Sequence, residues 1–200
     1  MAEPWQALLD WWFGDAEPAV AVAAARQRLW FGYRPEQDAE ARERFGAWVE
    51  AALAGECEAW AASPDGWLAL ILLLDQLPRM VFRGTPRAYA GDEAAQRWVR
   101  DGLVQGGDML LPPIRRVFVY LVLEHAEHLA LQEQAVAQFR QLHEIAAPDE
   151  RALFADFLAH AERHRQVIAR FGRFPHRNEI LGRPSSDAER AFLALPGSRF

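Results

Sequence analysis

The sequence predicts an all-α fold of layered helices, and three observations carry that expectation. Apolar residues recur at helical spacing in segments several turns long, separated by short breaks marked with Gly or Pro. Two of the segments, Trp67–Leu74 and Ile114–Leu123, are apolar all round, the pattern of a helix buried on every side. Capping chemistry falls at segment ends, as in Ser63-Pro64 and in Ser186 with Glu189 three residues on. The β-branched residues of Ile114–Leu123 would suit a strand. No turn signal follows before Pro148, however, so that stretch reads as two helices with a break near Glu124–His128.

In chain order, Pro4 suits the first turn of a helix ending at Gly14, with Leu8, Leu9, Trp12 and Phe13 on one side. Ala21–Phe31 is Ala-rich and ends near Gly32. A third helix runs from about Pro35 to Leu53, with Phe45, Trp48, Val49, Ala52 and Leu53 expected inward and Gly55 ending it. Ser63 caps and Pro64 opens the helix carrying Trp67–Leu74, which Pro78 is expected to stop. Asp92 opens a helix to about Val104, closed by Gly106-Gly107, and Pro112-Pro113 starts the second buried helix. Asp149 begins a long helix to about Phe171 whose apolar stripe is Leu153, Phe154, Phe157, Leu158, Ala161, Ile168 and Phe171. Gly172-Arg173-Phe174-Pro175 ends it, and Ser186 caps a short last helix. With no internal repeat and no linker rich in Gly, Ser or Pro, one domain over residues 1–200 is expected. Its innermost helices are Trp67–Leu77 and Ile114–Leu123, in a right-handed array.

Composition narrows the function classes. The 51% apolar content, with eight Trp and twelve Phe, supplies a sizeable core, and seven of the eight Trp fall in the first 70 residues. Lone Cys57 excludes an intrachain disulfide and fits a reducing compartment. No signal peptide and no apolar run of membrane-spanning length is visible, so a soluble cytoplasmic protein is expected, with no membrane partner. A net charge of −6 without a broad basic face argues against nucleic acid. All 22 basic residues are Arg, which reads as a GC-rich coding bias; against that bias, the single Asn, Asn178, suggests a position that requires a carboxamide.

One segment stands apart. Arg163–Arg183 holds six arginines and two histidines against one acid, Glu179, a local +5 that leaves the rest of the chain at −11. A dense positive patch needs an anionic ligand or internal acids to balance it. Asp75 ends one apolar helix, where the dipole disfavours an anion and burial adds to the cost, so it requires a cation. Arg79 and Arg83 are near in sequence, and Arg173 and Arg177 are candidates in space. Glu124 and Glu127 repeat the situation at the end of the other apolar helix. Two readings remain open. In one, acids and arginines neutralise each other and lock the C-terminal segment to the core. In the other, they wall a site for a small carboxylate or phosphate made of Asp75, Gln76, Arg79, Arg83, Glu124, His125, His164, Arg173, His176, Arg177 and Asn178, with His164 or His176 able to move a proton and Glu124 or Glu127 to orient it. His160 with His164 and His125 with His128 could each share a helix face, yet no metal-binding motif links them, so neither a metal nor another cofactor is expected. No nucleophile elbow and no phosphate-cradling glycine loop occurs.

Several motifs in these stretches resemble the bacterial family known as domain of unknown function 924. They are Trp11-Trp12-Phe13-Gly14, the block from Leu72 to Arg79, Arg83-Gly84, Glu124-His125-Ala126-Glu127, the run from Arg170 to Asn178, Leu181-Gly182-Arg183 and Ser185-Ser186. Met80 and Ala126 depart from the family's usual Asn and Ser. The resemblance implies a tetratricopeptide-like α-α superhelix and no established activity. Arrays of that kind commonly grip peptides, which makes a peptide- or protein-binding module the alternative to an anion site.

Overall fold

The computed structural model describes residues 3–198, and no strand occurs among them. The helices are α1 (Gln6–Phe13), α2 (Ala19–Trp30), α3 (Pro35–Leu53), α4 (Pro64–Leu74), α5 (Gln76–Val81), α6 (Asp92–Val104), α7 (Pro113–Glu124), α8 (Leu129–Ile145), α9 (Arg151–Phe171) and α10 (Asp187–Leu193). Short 3-10 turns at Pro86–Tyr89 and Pro175–Arg177 matter for the site below. The all-α expectation therefore holds. The lone residues of the expected 1–200 span beyond 3–198 lie outside the described residues. No helix among the described residues is long and apolar enough to cross a membrane.

Apolar pattern decides which helices go to the centre. Every residue of α4 from Gly66 to Leu74 is buried, and α4 packs against α1, α3, α5, α6 and α7. On α7, Val117 to Glu124 are buried in one unbroken run. Phe118 of α7 forms an aromatic node, with ring centres 5.4 Å from Trp12, 5.4 Å from Phe13 and 4.8 Å from Trp30. Trp30 Nε1 donates to the Trp12 carbonyl at 2.9 Å, so the buried indole keeps its hydrogen bond. One apolar core runs from Leu8 to Ala161. Val167, Ile168 and Phe174 form a separate small cluster beneath the C-terminal segment. That segment thus has little apolar surface to hold it, and polar contacts must contribute.

Two expectations need correction. Pro78 does not stop the α4 helix: the chain breaks earlier, at Asp75 (φ −111°, ψ −57°), and Pro78 lies inside α5. It occupies the first turn of α5, where a backbone N–H has no intrahelical acceptor and its loss costs nothing. Trp48 is not inward; it is 40% exposed and leans on Trp60, with ring centres 4.9 Å apart. The buried face of α3 is Asp38, Ala41, Phe45, Val49 and Ala52, and Trp48 falls at its edge while Leu53 is half-buried.

A close backbone approach prepares the site. A Cβ on Gly91 would lie 2.1 Å from the Leu74 carbonyl oxygen, so only glycine lets the start of α6 meet the end of α4. Asp92 is thereby delivered beside the α4–α5 break.

Candidate functional site

Asp75 sits fully buried at that break. Its carboxylate accepts from Gln76 Nε2 at 2.6 Å, lies 2.9 Å from His125 Nδ1 through both oxygens, and lies 3.2 Å from Arg79 Nη1. Burial pushes the carboxyl up, but Arg79, His125 and Gln76 outweigh it and hold it well below the usual carboxylate range. Arg79 also donates from Nη1 to the Asp75 carbonyl at 2.5 Å and reaches Asp92 Oδ1 at 2.9 Å. Against the cost of burial, Asp75 and Asp92 push the Arg79 guanidinium up.

Arg177 arrives from the 3-10 turn after α9. Its Nη1 is 3.4 Å from Asp92 Oδ2, and Nη2 donates to the His125 carbonyl at 3.0 Å. The guanidinium lies over the Tyr89 ring at 4.8 Å and the Phe174 ring at 4.6 Å, while Arg79 lies 5.5 Å from the same Tyr89 ring. Two arginines therefore share one aspartate and one tyrosine. Burial and the Arg79 charge push the Arg177 cation down from its ordinary value, with Asp92 acting in the other direction. Its Nε is buried and has no hydrogen-bond partner among the described residues.

A second carboxylate–imidazole pair lies behind the first, with His164 Nδ1 2.9 Å from Glu124 Oε1 and 2.9 Å from the His160 carbonyl oxygen. The His164 ring meets Phe174 edge-on at 5.5 Å, and His176 packs on the same phenyl at 5.6 Å. Burial first, then Arg177 and His164, push His176 down to about 3. The folded chain thus refuses a proton that the unfolded chain accepts below the ordinary value of 6.5. This contribution to stability is complete above that value and is lost as pH falls from 6.5 toward 3. About 2 kcal/mol is expected to disappear between pH 7 and pH 5. Urea denaturation at the two values checks it, and His176→Gln should remove most of the difference.

The remaining expected residues go elsewhere. Arg83 pairs with Asp38, at 2.6 Å from Nε and 2.9 Å from Nη2. Arg173 reaches neither Asp75 nor Glu124: it is bidentate to Glu189, at 2.7 and 2.9 Å, and donates to the Pro184 carbonyl. Its partner lies on α10 because the capping box of Ser186 turns Glu189 back toward the turn. The Arg173 hydrogen bonds hold the Glu189 carboxyl down to about 2. Arg173→Ala is expected to raise hydrogen exchange across Asp187–Leu193 while the main unfolding transition barely moves. Asn178 uses both ends of its carboxamide, donating to Ser185 Oγ at 3.1 Å and accepting from Arg183 Nε at 3.0 Å, which explains the lone Asn.

Arg183, Asp92 and Tyr89 were not legible as participants, whereas Glu127 was among the expected acids. Arg183 grips Glu127 at 2.5 and 2.9 Å, and Glu127 also accepts from the Phe174 backbone N–H at 2.7 Å. Asp92 signalled only a helix start, and Tyr89 gave no signal. No three His, Cys, Asp or Glu side chains among the described residues converge as metal ligands would.

Comparison places the chain among known proteins. The family described as "Bacterial protein of unknown function (DUF924)" matches over residues 8–197. A solved protein of unknown function from Agrobacterium tumefaciens is similar at 35% identity and a TM-score of 0.74, covering 88% of this chain and 99% of that one. No curated protein matches.

Proposed function

The chain belongs to the bacterial DUF924 family, whose description assigns no activity, and we propose that it binds a small carboxylate or phosphate at Arg79, His125 and Arg177. The observation that carries this reading is the position of Arg177. It is a buried guanidinium whose charge is disfavoured by burial and by Arg79, whose ion-pair partner Asp92 is shared with Arg79 while Glu127 acts from farther off, and whose Nε lacks an acceptor among the described residues. An anion bridging the two guanidiniums relieves the like-charge crowding and supplies the absent acceptor. Arg79 and His125, each about a fifth exposed, form the rim through which it reaches Arg177. Asp75 and Gln76 hold that rim, and the Glu124–His164 pair and His176 back it. Arg83, Arg173 and Asn178 support the fold around the site instead of facing it. Buried Cys57 fits the reducing cytoplasm in which we place the protein.

Thermal unfolding tests the reading. With a Kd near 1 mM, 10 mM phosphate or succinate stabilises by about 1.4 kcal/mol, a rise of roughly 3–5 °C for a chain of this size. Chloride at equal ionic strength is expected to give none of that rise. No specific shift with any phosphate or dicarboxylate would count against the site.

A second reading rests on a different observation. Exposed Trp48 stands in a surface cavity of about 220 Å³ with Pro4, Leu8, Arg44, Phe45 and Trp60. A tetratricopeptide-like array, as the resemblance implies, would use such a cavity to seat an aromatic residue of a peptide with an acid beside Arg44. Trp48→Ala would then abolish binding to a peptide array of that composition and leave anion binding intact.

A further inference from the structure

Simple anion binding does not use one feature of this cluster: an imidazole held by a buried carboxylate, with its second nitrogen left open. His125 Nδ1 faces both oxygens of Asp75 at 2.9 Å, and Asp75 is ionised and fully buried. An ionised carboxylate can only accept, so Nδ1 carries a proton, and in the neutral ring the lone pair is on Nε2. The ring's base is fixed as well. The His125 N–H donates to the Leu121 carbonyl at 2.8 Å, and its own carbonyl accepts from Arg177 at 3.0 Å. No described residue hydrogen-bonds Nε2, and the side chain is 18% exposed. Charged or titratable groups near it are Arg79, which shares Asp75, Arg177, which donates to its carbonyl, His176, and Glu124 and Glu127 beside it in the chain.

An oriented ring with an accessible lone pair is what a general base requires. Arg79 touches the same Asp75, and Arg177 donates to the backbone carbonyl of His125, so two guanidinium groups stand near the base. We infer that His125 acts as general base in hydrolysing an ester of a small dicarboxylic acid, an inference that rests on the anion-site reading. The free carboxylate of the substrate lies on the arginines. Nε2 takes a proton from water as the water oxygen adds to the ester carbonyl. The tetrahedral intermediate then collapses, the ester C–O bond breaks, and the imidazolium returns its proton to the leaving oxygen. One acid and one alcohol form, with no oxidant, reductant or other co-reactant. Asp75 acts as a positioning residue that keeps the proton on Nδ1.

The full chain is assayed with mono-p-nitrophenyl glutarate, which carries a free carboxylate, and with neutral p-nitrophenyl butyrate. The wild type is expected to hydrolyse the charged ester about tenfold better by kcat/KM. His125→Gln is expected to lose about a hundredfold in kcat on both esters. Arg177→Gln raises KM for the charged ester about tenfold. In Asp75→Asn, kcat counted per folded molecule by circular dichroism falls while KM holds, whereas a merely destabilised variant keeps the wild-type kcat per folded molecule. On the unmutated protein, diethyl pyrocarbonate is expected to carbethoxylate His125, and succinate to slow it. The inference is overturned if the wild type hydrolyses neither ester, if His125→Gln keeps the wild-type rate, or if His125 resists the reagent while other histidines react. Undiminished hydrolysis in His125→Gln, with the preference for the charged ester kept, would refute the base and leave the anion site standing. Hydrolysis that needs His125 without any such preference would sustain the base and refute the anion site.

Discussion

Phe118→Ala is expected to cost about 3–5 kcal/mol, the usual loss for deleting a fully buried phenyl ring. Phe118 is completely buried and meets Trp12, Phe13 and Trp30 from three directions, so α1, α2 and α7 all lose packing at once. Three large rigid rings cannot collapse into the space, which puts the expected loss at the upper end of that range. Against a total stability of about 5–15 kcal/mol, the variant would be marginal at 37 °C. Chemical denaturation with an unchanged m-value checks it. A loss below about 1 kcal/mol would mean that the aromatic node is not the rigid centre of the core.

Asp75→Ala is expected to cost a similar amount for a different reason. Removing one member of a buried ion pair costs about 3–5 kcal/mol because the partner stays buried without its counter-charge. Here Arg79 would keep only Asp92, which Arg177 also uses, and His125 Nδ1 and Gln76 Nε2 would lose their acceptor. The Asp75 carboxyl is held well below its ordinary value, so its contribution is present above about pH 4 and fades as pH falls further. Urea denaturation at neutral pH measures the loss. An anion supplied to the variant would restore part of it by neutralising the uncompensated arginine pair, whereas a chain held only by Asp75 as a structural lock would gain nothing.

Local signals carried the helices well and their partnerships poorly. The Asp92 start of α6, the Leu53 end of α3 and the Ser186 capping box depend on a few adjacent residues, and all are written in the chain as the structure has them. The α4–α5 break at Asp75 was hidden because Pro78 is the conspicuous breaker, yet it sits where a helix tolerates proline. The pairing of Arg177 with Asp92 spans 85 residues, and that of His125 with Asp75 spans 50. Such partners are fixed by the packing of Gly91 on Leu74 and by where α7 ends, and no short motif encodes either. The excess of arginine after residue 162 signals a need for an anionic ligand or internal acids. Which acids answer it, Glu189 for Arg173 and Glu127 for Arg183, was decided by the C-terminal segment folding back on itself.

Isothermal calorimetry tests the central claim most directly. Succinate and inorganic phosphate are titrated at low salt into the wild type, Arg177→Gln and Arg173→Ala. One saturable site is expected in the wild type and in Arg173→Ala, with affinity at least about tenfold weaker in Arg177→Gln, the share of one charged bidentate contact. No saturable heat with either anion, or equal affinity in the wild type and Arg177→Gln, would contradict the assignment of the Arg79, His125 and Arg177 cluster as an anion site.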